Sequence, residues 1–206
     1  MSEQPSCCRW CAGFLFSLGL TSLFMWLSLR PSKPTYSIES FYIPVLNKTA
    51  NDTRNTTISF DLRLKNENKD KGIYYDALDI TLYYGHNLSS PIGNVSISGF
   101  YQGHKKKAHR VETVQTVGVP WETAKQEVSN GTTIFRVDLA TAVRYKIMAW
   151  KTGRHKMKLG VNVTVNDQGL KTAKKGVELS CASVHVNDCT TRVSVALLVL
   201  ILLFLI

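Results

Sequence analysis

The chain lacks the signatures of catalysis. It contains no HExxH, no GxSxG and no phosphate-binding glycine loop, and no paired set of His and Cys stands at ligand spacing. Nothing in it therefore reads as an activated nucleophile, a metal-bound water or a phosphate cradle, and the expectation is a non-enzymatic protein with no cofactor, no metal site and no catalytic residue. The five histidines, His86, His104, His109, His155 and His185, are scattered. His104 and His109 flank a lysine run, whose positive charge disfavours a metal ion there. Asp76 and Asp79 read as surface strand residues rather than as an acid–base pair.

Cysteine is scarce where a scaffold would need it. Of five, Cys7, Cys8 and Cys11 crowd the N-terminus, and only Cys181 and Cys189 remain for the rest. A disulfide framework is excluded, so the body has to stand on its hydrophobic core. Cys8 and Cys11 form a CxxC without the βαβ context of a redox motif or the second pair of a zinc site. Beside an apolar run, Cys7, Cys8 and Cys11 are candidates for S-acylation, with idle thiols as the alternative. Also missing are internal repeats, low-complexity linkers and any long helical period beyond the first 29 residues.

What is present begins with two apolar ends. Trp10 to Leu29 is twenty residues without a charge, about 30 Å of helix and the thickness of one bilayer core. It is expected to be a retained transmembrane signal anchor, with 1–9 as a cytosolic tail. A cleaved signal peptide is the rival, but "SLRPSKP" offers no small-x-small site before Arg30. The other run, Val193 to Ile206, is fourteen residues, about 21 Å and short of a span. Small residues at Ser180, Cys181 and Ala182, a polar spacer and this tail follow the pattern of a glycosylphosphatidylinositol signal. Residues 181–206 would then be removed, the lipid joining Ser180, Cys181 or Ser183. A retained second span is the alternative.

Orientation is read from the asparagines. Seven of eleven are followed by x-Ser/Thr: Asn47, Asn51, Asn55, Asn87, Asn94, Asn130 and Asn162. Arg30 and Lys33 would weakly place the downstream part in the cytosol, but this excess of glycosylation acceptors argues for a lumenal domain over 30–180. The expected location is the extracellular face of the plasma membrane.

Within that domain the pattern alternates with a period of two. Ile58, Phe60, Leu62 and Leu64 point one way. Leu78, Ile80, Leu82 and Tyr84 repeat this, as do Thr133, Phe135, Val137 and Leu139, then Val143, Tyr145, Ile147 and Ala149, then Leu159, Val161, Val163 and Val165. With weaker runs at 36–46, 92–100, 111–117 and 177–186, seven to nine short strands are expected, parted by "NENKDKG", "GHNLSSPIG", "SNGT" and "NDQG". The predicted fold class is all-β, an immunoglobulin- or fibronectin-III-like antiparallel β-sandwich carrying an N-terminal transmembrane helix and a C-terminal apolar tail. "RPSKP" reads as a short stiff stalk.

Charge is one-sided. From Arg30 to Ser180 there are 23 Lys and Arg against 13 Asp and Glu, so the whole net charge of +10 belongs to the outer domain. Clusters lie at His104–Arg110, Lys151–Lys158 and Lys171–Lys175, with Lys105, Lys106, Lys107 and Arg110 as the candidate partner surface. Nucleic acid is excluded on the lumenal side. Acidic cell-wall polysaccharide and anionic headgroups are the expected polyanions.

The stretches "NENKDKGIYYD", "FYQGHKKKA", "FRVDLATAVRYKI" and "KTGRHKMKLGVNVTVN", in that order behind an N-terminal anchor, resemble the plant non-race-specific disease resistance and harpin-induced-like family. The resemblance covers nearly the whole chain. It implies a late-embryogenesis-abundant type 2 domain of β-sandwich fold, lipid-anchored outside the plasma membrane and acting in resistance to bacterial pathogens. A cytosolic immune regulator would then meet the N-terminal tail. Members often carry Asn-Pro-Asn where this chain has Asn66, Glu67 and Asn68, and an Asn-Gly-Asp adhesion tripeptide is replaced by "NDQG" at Asn166–Gly169. Two other roles stay open: a stress-protective structural domain that stabilises membrane or wall during water loss, and a lipid carrier with a cavity between the sheets.

Overall fold

The computed structural model describes residues 6–49, 54–85, 88 and 90–181. In chain order the elements are α1 (Ser6–Leu29), β1 (Thr35–Asn47), β2 (Thr57–Lys65), β3 (Lys71–Tyr75), β4 (Leu78–Tyr84), β5 (Pro91–Ile97), β6 (Phe100–Gln102), β7 (Lys107–Gln115), α2 (Trp121–Ser129), β8 (Thr133–Ile147), β9 (Trp150–Lys151), β10 (His155–Val165), β11 (Gln168–Leu170), β12 (Val177–Glu178) and β13 (Ser180–Cys181). Every pairing among them is antiparallel.

One sheet has the order β11-β1-β2-β7, with β12 also on β1. The other is organised by β8, whose fifteen residues pair with β10 along one edge and with β3 and β4 end to end along the other. β6 extends β3, β5 extends β4, and β13 lies beyond β10. Alternation builds the interior: Ile58, Phe60, Leu62 and Leu64 of β2 face Phe135, Val137 and Leu139 of β8 across one core. Phe41 meets Phe135 with ring centroids 6.1 Å apart, and Tyr36 meets Tyr75 edge-on at 6.2 Å. Burying each such side chain stabilises the fold by about 1.5–3 kcal/mol.

The structure departs from the sequence reading in several places. Ala149 does not face inward: β8 ends at Ile147, and Met148 and Ala149 make a tight turn. Short strands sit inside stretches read as turns, with β3 beginning in "NENKDKG" and β11 in "NDQG". The helix α2 carries little sequence signal because its nine residues bury only two positions, Ala124 and Val128, one turn apart on one face. Its punctuation was available: Pro120 before it, Glu122 in the first turn, and Gly131 at φ +150° after it. The "RPSKP" segment is no free stalk. Pro34 is buried, and Ser32 is fastened to Asn68 by two hydrogen bonds.

α1 is helical over 24 residues, with no acidic residue in its first turn and no basic one in its last. Of its described apolar side chains, Trp10, Phe14, Phe16, Leu18, Phe24 and Met25 are exposed and Leu23 is half-buried. Among the described residues no helix is long and apolar enough to cross a membrane. The anchor expected over 10–29 thus has a helix at its place but no demonstrated crossing.

Strand directions put several segments at one pole of the sandwich. β1 starts there, opposite the end of β2 and the start of β7. The Asn66 amide ties that corner to the start of β3 and the end of β6, and β3 begins opposite the end of β8. β13 runs antiparallel to β10, so it too heads for this pole, and Cys181 lies opposite Leu159, four residues short of the start of β10. The segment joined to α1 and the chain leaving β13 therefore point the same way.

Candidate basic interface

The corner where α1 joins the sandwich is built on two asparagines. Asn66 and Asn68 are 1% and 5% exposed, so every amide atom needs a partner. Asn66 Nδ2 donates to the carbonyls of Lys71 at 2.8 Å and Gly103 at 3.1 Å. Its Oδ1 accepts from Asn68 N at 3.0 Å and Asn68 Nδ2 at 2.9 Å. Asn68 Nδ2 also donates to the Ser32 carbonyl at 2.8 Å, and its Oδ1 accepts from Ser32 N at 2.7 Å. Gln102 closes the network, donating to the Leu64 and Lys106 carbonyls and accepting from the Tyr75 hydroxyl. The exposed Glu67 between the asparagines only pairs with Lys65.

On the outer face of the β8 sheet, near the same pole, aromatic and basic side chains share one surface. Tyr74 and Tyr101 are direct cross-strand partners with rings 4.6 Å apart. Tyr101 lies flat across β3 because position 72 is glycine, where a Cβ would strike its hydroxyl. Lys146 lies over the Tyr101 ring at 5.8 Å and Lys151 over Tyr74 at 4.4 Å, contacts worth about 0.5–1 kcal/mol each at exposed sites. Beside them, Asp76 stands where β3 gives way to β4 and binds Arg144 at 2.9 Å and Arg154 at 2.5 Å. The Arg144 guanidinium, and after it Arg154, holds the Asp76 carboxyl below the usual carboxylate range against the upward pull of burial. A cleft of about 540 Å³ opens here, lined by Tyr74, Asp76, Phe100, Tyr101, Arg144 and Arg154. Two guanidinium forks, two ammonium groups and one carboxylate leave it cationic, suited to carboxylates carried on flat ring-shaped units.

The sequence clusters supplied only part of this surface. Lys151 and Arg154 come from "KTGRHKMK". Alternation in "VRYK" sends Arg144 and Lys146 to the outward row of their strand, but they belong to no charge cluster, and neither Tyr74 nor Tyr101 carries a charge that would single it out. Lys105, Lys106 and Lys107 are exposed at the turn that carries the chain from β6 in one sheet to β7 in the other. Arg110 stands apart from them, half-buried, with its guanidinium 4.2 Å above the Phe100 ring. Asp76 and Asp79 serve different partners, the latter accepting from Ser96 at 2.7 Å. Among the described residues no group of His, Cys, Asp and Glu could hold a metal ion.

Of the glycosylation acceptors, Asn94, Asn130 and Asn162 are exposed, on β5, after α2 and on β10. Asn47 and Asn55 close Asx turns, each accepting from the hydroxyl of its own sequon threonine at 2.7 Å. Asn51 and Asn87 lie outside the described residues, as does Ser183. Ser180 is exposed on β13, with Cys181 next to it. Cys11 is a free, exposed thiol on α1, and Cys7 and Cys8 fall in the opening turn of that helix.

An antiparallel β-sandwich with a helix ahead of it and a basic outer face defines a class that the comparisons place. The chain belongs to the family described as Late embryogenesis abundant protein, whose sequence model matches residues 61–175. Among individual proteins it is similar to Protein NDR1 of Arabidopsis thaliana, 43% identical over 180 residues, covering 84% of this chain and 82% of that one. NDR1/HIN1-like protein 26 of the same plant is 30% identical over 69% of this chain and 70% of its own, and NDR1/HIN1-like protein 1 is 29% identical over 74% and 75%.

Proposed function

We propose that this protein is a non-enzymatic component of plant disease-resistance signalling, held at the extracellular face of the plasma membrane and linking membrane to cell wall. The observation that carries the reading is the 43% identity with Protein NDR1, sustained over 84% of the chain. In this reading α1 anchors the chain in the bilayer, supported by its uncharged run from Trp10 to Leu29 and its exposed apolar side chains. A glycosylphosphatidylinositol lipid at Ser180, Cys181 or Ser183 makes a second attachment, supported by the direction of β13 toward the α1 pole. S-acylation of Cys7, Cys8 and Cys11 would add a third. The tail 1–9 meets a cytosolic immune regulator. The cleft at Tyr74, Tyr101, Arg144 and Arg154 takes acidic wall polysaccharide. Loss of the gene should raise bacterial growth in infected leaves; unchanged growth with increased electrolyte loss on drying would favour the stress-protective reading instead. Phospholipase treatment with and without proteolysis near Arg30 reports the two attachments separately.

A further inference from the structure

Among the described residues, only two other than glycine adopt a positive φ: Lys105 at 52° and Met148 at 53°. Each sits in a tight turn, Lys105 where the chain crosses from β6 in one sheet to β7 in the other and Met148 at the tip of the β8–β9 hairpin, and both tips lie at the pole where α1 joins the sandwich. A left-handed turn position favours glycine or asparagine, so the fold gains nothing from a methionine there. Met148 is 83% exposed and Trp150, two residues on, is 77% exposed. Exposed Val111 and Val117 elsewhere on the sandwich stand singly, as isolated surface apolar residues commonly do. The Met148–Trp150 tip instead exposes two large apolar side chains within three residues, bracketed in the chain by Lys146 and Lys151.

The second tip is basic. His104, Lys105, Lys106 and Lys107 are all exposed, and Lys33 and Lys69 stand exposed near them on the segments that Asn68 ties together. The nearby acidic groups are few: Glu67 bonded to Lys65 and Asp70 bonded to Lys71. Ser32 is clamped to Asn68 and α1 ends at Leu29. Three residues span at most about 10 Å, so the pole cannot leave the end of α1 by more than that.

We propose that this pole is a membrane-contacting surface: the Met148–Ala149–Trp150 tip enters the headgroup layer of an anionic bilayer, and the His104–Lys107 tip binds its phosphates. An indole belongs at that depth, and lysines beside it are drawn to negative headgroups. The inference deepens the proposed function and rests on its placing of α1 in the bilayer. It assigns the sandwich a fixed posture on the membrane and leaves the Tyr74–Arg154 cleft facing sideways.

The test uses the full chain reconstituted into phosphatidylcholine vesicles, with or without ~30% phosphatidylserine, and read by flotation and by amide hydrogen exchange. On anionic vesicles, exchange at Met148–Lys151 should slow about tenfold relative to phosphatidylcholine vesicles or micelles, with residues 116–119 at the opposite pole unchanged. The protection should vanish in Met148→Ser/Trp150→Ser and weaken in Lys105→Gln/Lys106→Gln/Lys107→Gln. Flotation that survives these substitutions and high salt, with equal tip exchange on all three supports, would leave the anchor standing and overturn the inference. Flotation on anionic vesicles alone, reversed by salt, would remove the anchor and keep the inference; no flotation removes both. Equal protection by soluble polygalacturonate without vesicles would also overturn it, in favour of a polysaccharide site.

Discussion

Replacing Asn66 by alanine should be among the most damaging single changes available in this protein. The side chain is 1% exposed and takes part in four hydrogen bonds, two donated to the carbonyls of Lys71 and Gly103 and two accepted from Asn68. A buried hydrogen bond contributes about 1 kcal/mol net, and a buried partner left unsatisfied costs about 1–3 kcal/mol. Water entering at the Gly103 side, where contact is only partly buried, offsets some of this, so the expected loss is about 3–5 kcal/mol. Single domains are stable by only about 5–15 kcal/mol. With a urea m-value of about 2 kcal/mol/M for this size, the midpoint should fall by about 2 M. The measurement is urea unfolding of the full chain in mild detergent, with Trp121 as reporter because it packs near Phe135 in the core. Glu67→Ala is the internal control: it removes only an exposed ion pair, worth less than about 0.5 kcal/mol. An Asn66→Ala midpoint within about 0.3 M of the parent would refute the view that the two amides hold this corner together.

Four further outcomes follow from the same structure. The depressed Asp76 carboxyl stabilises the fold above its unfolded value of about 4 and ceases to do so as pH falls through the lower folded value; the acid limb of a stability–pH curve should therefore be shallower in Asp76→Asn. Burial raises the phenols of Tyr36 and Tyr75 and pushes Tyr145 up to about 12. Their contribution is whole below about pH 10 and is lost above it, so absorbance titration should show them ionising only together with unfolding. Gly169 has φ +69°, and a Cβ there would strike the Ile43 carbonyl oxygen; Gly169→Ala should cost about 2–3 kcal/mol and lower Tm. Tyr101→Ala leaves the core untouched and should weaken retention on immobilised polygalacturonate about fivefold, the loss of about 1 kcal/mol; unchanged retention would remove the cleft from consideration.

The sandwich was legible because its long strands obey a strict two-residue rhythm, and Ile58 to Leu64 or Thr133 to Leu139 can be seated with no knowledge of partners. Short elements escaped because three residues carry no period: β6 and β11 exist through the hydrogen bonds that neighbours offer, not through their own pattern. Ala149 was misplaced for a related reason. Alternation continues through "VRYKIMAW" on paper, and only the turn at Met148 shows that the strand has ended. The candidate surface was half visible. Charge clusters are countable in one dimension, whereas Tyr74 and Tyr101 meet across 27 residues of chain and need Gly72 to lie flat, a relation no single stretch displays.

The common direction of the segment at Thr35 and the chain leaving β13 has a mechanical consequence. If the sandwich is gripped at its far pole and tethered at this one, tension enters along the length of β1 and β13. The long ladder from β1 to β2 would then be loaded in shear, its hydrogen bonds sharing the pull at once rather than parting one after another, whereas the two-residue pairing of β13 with β10 adds little. Such a body resists stretching far better than a modest folding free energy would suggest.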